Sequence, residues 1–164
     1  MRIAVVDSSA LINLTELGLA TKLSLYFDTV FVPNAVQREV NRKARFRYRL
    51  KALYRTRTFQ RCRAADVVNV RLLLLDLHEG EAEALTQAQE KFARFFIADD
   101  RRARQIGEKR GLTPVGTLRL LARLNLEGHA PEVKALVHKL RRELGFRVSE
   151  AVVQEALAMA PKPI

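Results

Sequence analysis

Two adjacent aspartates, Asp99 and Asp100, close the apolar run "FFIA" and open the cation-rich stretch "RRARQIGEKR". The chain has 29 Lys and Arg against 18 Asp and Glu, a net charge of +11, so neighbouring acids need a reason. Asp7 stands in the same relation to "RIAVV". Glu81 and Glu83 fall at the start of "HEGEAEALTQAQEKFA", and Glu39 lies one turn into "NAVQREVNRKA". If the apolar runs are parallel strands, ligands bind beyond their carboxyl ends, and four parts of the chain send acids to that rim. Clustered carboxylates repel one another unless a cation neutralises them, and hard oxygen donors select Mg²⁺ or Mn²⁺. No Cys/His set competes, because His78, His129 and His138 sit far apart without ligand spacing. Each acid also has a plain structural reading. Asp7, Asp99 and Asp100 precede helices and would cap them; Glu81 and Glu83 suit the dipole of a first turn; Glu39 stands one turn from Lys43. That reading explains each acid but not their common address.

The elements that must position these acids follow from periodicity. "RIAVVD", "TVFVP", "RFFIA" and "LTPVG" read as short strands, the last at a sheet edge because of Pro114. Helical spacing runs through "SALINLTELGLATKLSLYF" with a break near Gly18, through "NAVQREVNRKA" with Asn34 as its cap, through "HEGEAEALTQAQEKFA", and through "RRARQIGEKR" up to Gly111. "DVVNVRLLLL" is apolar enough for a strand or a buried connection. Three helices close the chain: "TLRLLARLNLEG", "PEVKALVHKLRREL" ended by Gly145, and "SEAVVQEALAMA". Strands alternating with helices predict an α/β, three-layer fold around a parallel sheet of about four or five strands. Without repeat or linker, residues 1–164 read as one domain, with the helices of 131–159 packed on it.

A lone cysteine, Cys62, excludes an internal disulfide and suits a reducing compartment. No apolar run approaches the roughly 20 residues of a membrane span, and "MRIAVVDSSALINL" lacks a leader pattern, so a cytoplasmic protein is expected. The charge is concentrated: Arg42 to Arg63 holds ten Lys or Arg and no acid. Phe46, Tyr48, Tyr54 and Phe59 are interleaved with those cations, a mixture that suits phosphates and unstacked bases. The alternative is a solvated helix with Phe46, Leu50 and Leu53 turned inward. The absence of acids favours a polyanion partner held by Arg45, Arg47, Tyr48, Arg49, Arg55 and Arg57. Helix is expected over strand, although the first part alternates with period two.

Four stretches, "IAVVDSSALINL", "VFVPNAVQREV", "LHEGEAEAL" and "FFIADDRRARQIGEKRGLTPVGTLRLLARL", together resemble a PIN domain, the family of metal-dependent nucleases that includes VapC-type toxins. The likeness is closest to a prokaryotic subfamily with "GEAEA" and "GT" helix starts and a "DD…AR" strand end, and the tail "EVKALVHKLRRELGFRVSEAVVQEAL" also has a counterpart there. The resemblance implies a PIN-like fold with Asp7, Glu39, Glu81, Asp99 and Asp100 as catalytic acids. It makes Asp7, Glu81, Asp99 and Asp100 the ligands of Mg²⁺ or Mn²⁺, with Ser9, Glu83 and Thr117 supporting them. Glu83 is the second choice for the third acid, and Asp100 is preferred within its pair. The chain departs from the toxins in carrying Glu81 where they generally have aspartate, and its basic insert is more cationic. The implied activity is hydrolysis of RNA by an activated water, on single-stranded or loop RNA whose bases stack on Tyr48 or Phe59. The implied partners are RNA, a cognate antitoxin and a second copy of the chain, with no membrane. Three rivals are a non-catalytic binding module on the same fold, a phosphoacceptor regulator, and a haloacid-dehalogenase-like phosphatase. The regulator resemblance would need its aspartate pair after the first strand, and the phosphatase a D-x-D where "DSS" stands.

Overall fold

The apolar runs become five strands: β1 (Ile3–Val6), β2 (Thr29–Pro33), β3 (Phe59–Cys62), β4 (Phe95–Ile97) and β5 (Thr113–Val115). In a computed structural model that describes residues 1–158, they join one sheet ordered β3-β2-β1-β4-β5 with every pair parallel. Successive residues of a strand face opposite sides. Ala4 and Val6 of β1 and Phe95 and Ile97 of β4 therefore enter one core, while Val5 and Phe96 enter the other. A fully buried Leu or Phe is worth roughly 1.5–3 kcal/mol of transfer free energy, so the two cores together hold the strand register firmly.

The first core is covered by α1 (Ser8–Glu16), α3 (Ala44–Leu53), α7 (Thr117–Leu126) and α8 (Val133–Leu144). The second is covered by α4 (Val67–Leu73), α5 (Glu79–Glu90) and α6 (Arg101–Lys109). Between β2 and α3 runs α2 (Asn34–Asn41), which packs on both α1 and α5. The last helix, α9 (Glu150–Ala158), joins α7 and α8 through Leu118, Val133, Val137 and Val153. Met159 and Ala160 of the expected final helix lie outside the described residues. Gly145 closes α8 in the left-handed region at φ 66°, which a glycine adopts without strain. Among the described residues no helix is long and apolar enough to cross a membrane.

Three local expectations are corrected. Pro33, not Asn34, is the N-cap of α2; Asn34 is its first helical residue and Glu83 accepts from the Ala35 amide instead. Residues 67–73 form a helix rather than a strand or buried connection, because Asp66 caps it by accepting from the Asn69 amide. Only Leu73 of that helix is buried. The basic segment divides: its first half is α3, with Phe46, Leu50 and Leu53 inward at helical spacing, and its end is the edge strand β3. Its cations occupy the surfaces left over by that burial.

Candidate active site

The strand order reverses between β1 and β4, and the ends of those neighbours form the crevice where an open parallel sheet binds ligands. The Asp7 amide donates to the Ile97 carbonyl at 2.9 Å, so the residues that leave the two strands start side by side. Asp7 is fully buried. Its Oδ1 accepts from the Ala10 amide at 2.8 Å, capping α1, and its Oδ2 accepts from the Ser9 hydroxyl at 3.1 Å.

Asp99 and Asp100 divide their work. Asp100 caps α6 by accepting from the Ala103 amide at 2.8 Å. Asp99 reaches across to the start of α7, where its Oδ1 accepts from the Thr117 amide at 2.7 Å. Its Oδ2 accepts from the Thr117 hydroxyl at 2.6 Å and from Asn13 Nδ2 at 2.8 Å. Arg104 donates to the main-chain carbonyls of Ala98 and Asp99 and so braces the turn after β4. Sequence reasoning does not single out Asn13 or Arg104. A usable signal exists for Asn13: a buried amide on the apolar face of α1 needs a partner.

The other acids arrive from α2 and α5. Glu81 accepts from the His78 amide at 3.0 Å as half of a capping box. Asp7, Ser8, Ser9, Glu39, His78, Gly80 and Glu81 line a cavity of about 180 Å³. Gly80 keeps it open, since a Cβ there would stand 2.6 Å from Ser8 Oγ and 3.4 Å from Glu39 Oε2. Glu83 turns elsewhere: it accepts from the Ala35 amide at 2.8 Å and meets Arg38 at 3.5 Å. The alternative pairing of Glu39 with Lys43 does not form; Glu39 enters no ion pair among the described residues.

The rim is electrostatically unbalanced. Burial pushes the Asp7 carboxyl well above the usual carboxylate range, and the neighbouring Asp99 and Glu81 add to this against the Ala10 and Ser9 donors. Burial also raises Glu81, with Asp100 and Glu39 adding repulsion and the His78 amide opposing it. No ion pair of the described residues uses Asp7, Glu39, Glu81, Asp99 or Asp100, although the chain carries +11. As placed, no three Asp, Glu, His or Cys among the described residues stand in an arrangement that would hold an ion. The donor set nevertheless fits a hard divalent cation. Among the described residues its carboxylates enter no ion pair, and Ser8 Oγ lies buried in the same cavity with no hydrogen-bond partner.

A pH dependence follows. A carboxyl whose folded-state pKa is raised contributes stability that is fully present below its unfolded pKa and is lost as pH rises through the folded value. In metal-free protein, lowering the pH from about 8 toward about 5 should therefore raise the melting temperature of the wild type relative to Asp7→Asn. Parallel thermal melts of the two proteins in chelator measure this. A difference that does not change with pH would mean that Asp7 is not held against its charge.

The expected RNA contacts are scattered. Arg49 donates to the Thr15 carbonyl at 2.9 Å and Arg45 pairs with Glu16 at 3.3 Å, so both serve the far end of α1. That end lies about 13 Å from Asp7 along a nine-residue helix. Arg47 donates to the Asn41 carbonyl, closing α2. Arg55 and Arg57 precede β3, which runs parallel to β2, and so they lie at the edge of the sheet opposite the acids. Among the interleaved aromatics Tyr48 is 77 % exposed, whereas Phe46 and Phe59 are buried and Arg61 covers the Tyr54 ring. Phe59 is therefore no platform for a base. Cations do adjoin the acids elsewhere: a groove of about 910 Å³ is lined by Asp99 together with Arg101, Arg104, Arg119, Arg147, Leu118 and Phe146.

A family model described as a PIN domain matches residues 3–162. No curated protein and no solved structure matches the chain.

Proposed function

Because the chain belongs to the PIN-domain family, a family of nucleases in general, we propose that it is a metal-dependent endoribonuclease. One observation carries this reading. Asp7, Glu39, Glu81 and the Asp99–Asp100 pair come from separate elements to the switch point of a parallel sheet, and none of them enters an ion pair of the described residues. Asp7, Glu81, Asp99 and Asp100 would hold Mg²⁺ or Mn²⁺, which when bound supplies Lewis acidity to the scissile phosphate. The chain's own residues do the rest. Asn13 and Thr117 fix Asp99, the Ser9 hydroxyl and Ala10 amide fix Asp7, and the His78 amide fixes Glu81. Glu39, exposed and lining the same cavity, would take the proton of an attacking water on Oε2.

The groove beside Asp99 takes the strand being cut, and the basic segment at the opposite edge takes a more distant part of a long RNA. On a single strand, every phosphate that the protein ceases to neutralise lowers the slope of log affinity against log salt by about 0.7. Arg101→Glu with Arg147→Glu should therefore weaken binding of a short oligoribonucleotide and flatten its salt dependence. Arg55→Glu with Arg57→Glu should matter only for RNA long enough to reach both faces. Filter binding over a salt series checks this, and the reverse pattern would move the cut strand to the basic segment. A DNA oligonucleotide of the same sequence tests the preference for RNA.

Pairing with an antitoxin, as in the VapC-type relatives, is the narrower form of this proposal. A short adjacent reading frame with a DNA-binding pattern would support it. A second reading, RNA binding without cleavage, has one observation in its favour. Asp7 is fully buried with both carboxyl oxygens engaged by its own helix. Cleavage assays with and without divalent metal separate the two.

A further inference from the structure

The groove beside Asp99 carries more apolar wall than phosphates alone can use. It is lined by α6, by the start of α7 and by the chain from Phe146 to Ala156. Leu118, Phe146 and Val152 supply apolar surface, and Val152 is 45 % exposed. The link that carries Phe146 from α8 to α9 has no regular structure, yet it is tied down. Gly145 turns the chain out of α8, the Phe146 amide donates to the Leu140 carbonyl at 3.3 Å, and Arg141 donates to the Val148 carbonyl at 2.7 Å. Phe146 packs in part on the first core and also borders the groove. The charges of the groove are Arg101, Arg104, Arg119 and Arg147 against Asp99, Glu108 and Glu155. Arg104 is engaged with the carbonyls of Ala98 and Asp99. Arg101 and Arg147 are exposed and enter no ion pair of the described residues.

We propose, on the reading that this groove carries the strand being cut, that it seats one unstacked nucleobase beside the scissile phosphate, with Phe146 as the ring on which the base stacks. Its volume of about 910 Å³ falls within the roughly 300–1,000 Å³ of small-ligand sites, which are mostly apolar with a few polar groups. A track for phosphates alone would need cations and no aromatic or aliphatic wall. A base brings a flat π-face that stacks on an aromatic side chain, whatever its sequence. It also brings polar edges, for which the groove offers the Gln105 amide and the carboxylate acceptors Glu108 and Glu155. The phosphates that flank the base fall to Arg101 and Arg147. Because Asp99 lines the same groove, the seated base belongs to a nucleotide close to the cut. In a double helix the bases are paired and stacked on one another and offer no free face. The substrate class is therefore RNA with an unpaired nucleotide at that position. The tied link before α9 holds the ring in place ahead of binding, which lowers the ordering cost.

The test is equilibrium binding to the full-length protein in chelator, by fluorescence anisotropy, so that neither metal nor cleavage enters it. Two labelled probes are compared: a short single-stranded oligoribonucleotide and the same sugar–phosphate backbone without bases. The wild type should bind the base-free backbone roughly 5- to 150-fold more weakly, the range for one base stacked on an aromatic ring. Phe146→Leu should remove most of that difference by weakening the intact RNA alone. Val152→Ala, on a separate element and exposed, should reduce it as well without disturbing the fold. Arg147→Glu should weaken both probes alike, and annealing a complementary strand should weaken the intact RNA. Equal binding of the two probes by the wild type would overturn the proposal and leave the groove a phosphate track. A difference that Phe146→Leu and Val152→Ala both leave intact would overturn it too, by placing the base elsewhere, as on the exposed Tyr48. Binding of neither probe would overturn it by leaving the groove to another class of ligand. Cleavage is scored separately: a protein that shows the Phe146 difference but never cuts RNA keeps the pocket and loses the nuclease reading.

Discussion

Asp7→Asn is expected to abolish metal-dependent cleavage of RNA, by at least about a hundredfold, while the protein stays folded. Changes to groups that merely orient a metal ligand cost about 10–100-fold, and Asp7 is itself the acid at the centre of the proposed set. The fold should survive because the amide keeps an oxygen to accept from the Ala10 amide and a polar partner for Ser9. It also removes a charge that burial opposes, so the metal-free variant should melt no lower than the wild type at neutral pH. Loss of activity together with loss of folding would leave Asp7 a capping residue of α1 and nothing more. Near-normal cleavage by a folded Asp7→Asn protein would remove it from the chemistry.

The second large effect separates Glu81 from Glu83. Glu81 lines the cavity with Asp7 and is raised by burial and by its acidic neighbours, whereas Glu83 is occupied with the Ala35 amide and Arg38. Glu81→Gln should thus lose metal-dependent cleavage nearly as fully as Asp7→Asn. Its melting temperature should barely move, since glutamine still accepts from the His78 amide. Glu83→Gln should retain cleavage and lose stability instead, by roughly 0.3–1 kcal/mol for the charge removed from the start of α2. Rate and melting temperature measured on the pair give opposite signatures for the two positions. The reverse ranking would move the third acid to Glu83.

The legible parts of this architecture are those encoded locally. Short β-branched and aromatic runs mark four of the five strands, and the aspartates that follow two of them, β1 and β4, mark the rim. The edge strand β3 is hidden by arginines that leave only Phe59 and Cys62 buried. Residues 67–73 mislead because apolar content does not ensure burial, and Asp66 as a cap is the better signal. What joins distant parts is not written in any one stretch. Asp99 accepts from the first residue of α7, eighteen residues on, and not from the helix it precedes, while Asn13 meets it from 86 residues away. Arg45 and Arg49 read as free cations along the chain, yet α3 places them on the end of α1. The common address of the acids is inferable from topology, but the assignment of each oxygen is not.

If this rim is a divalent-metal site, Mn²⁺ titrated calorimetrically into metal-free wild-type protein must bind there. Saturable binding is expected, lost in Asp7→Asn and Glu81→Gln and kept in Glu83→Gln. Binding should also release more protons as the pH is lowered, because a cation favours the charged form of the raised carboxyls Asp7 and Glu81. Absence of saturable binding, or binding that the Asp7 and Glu81 variants leave unchanged, would contradict it.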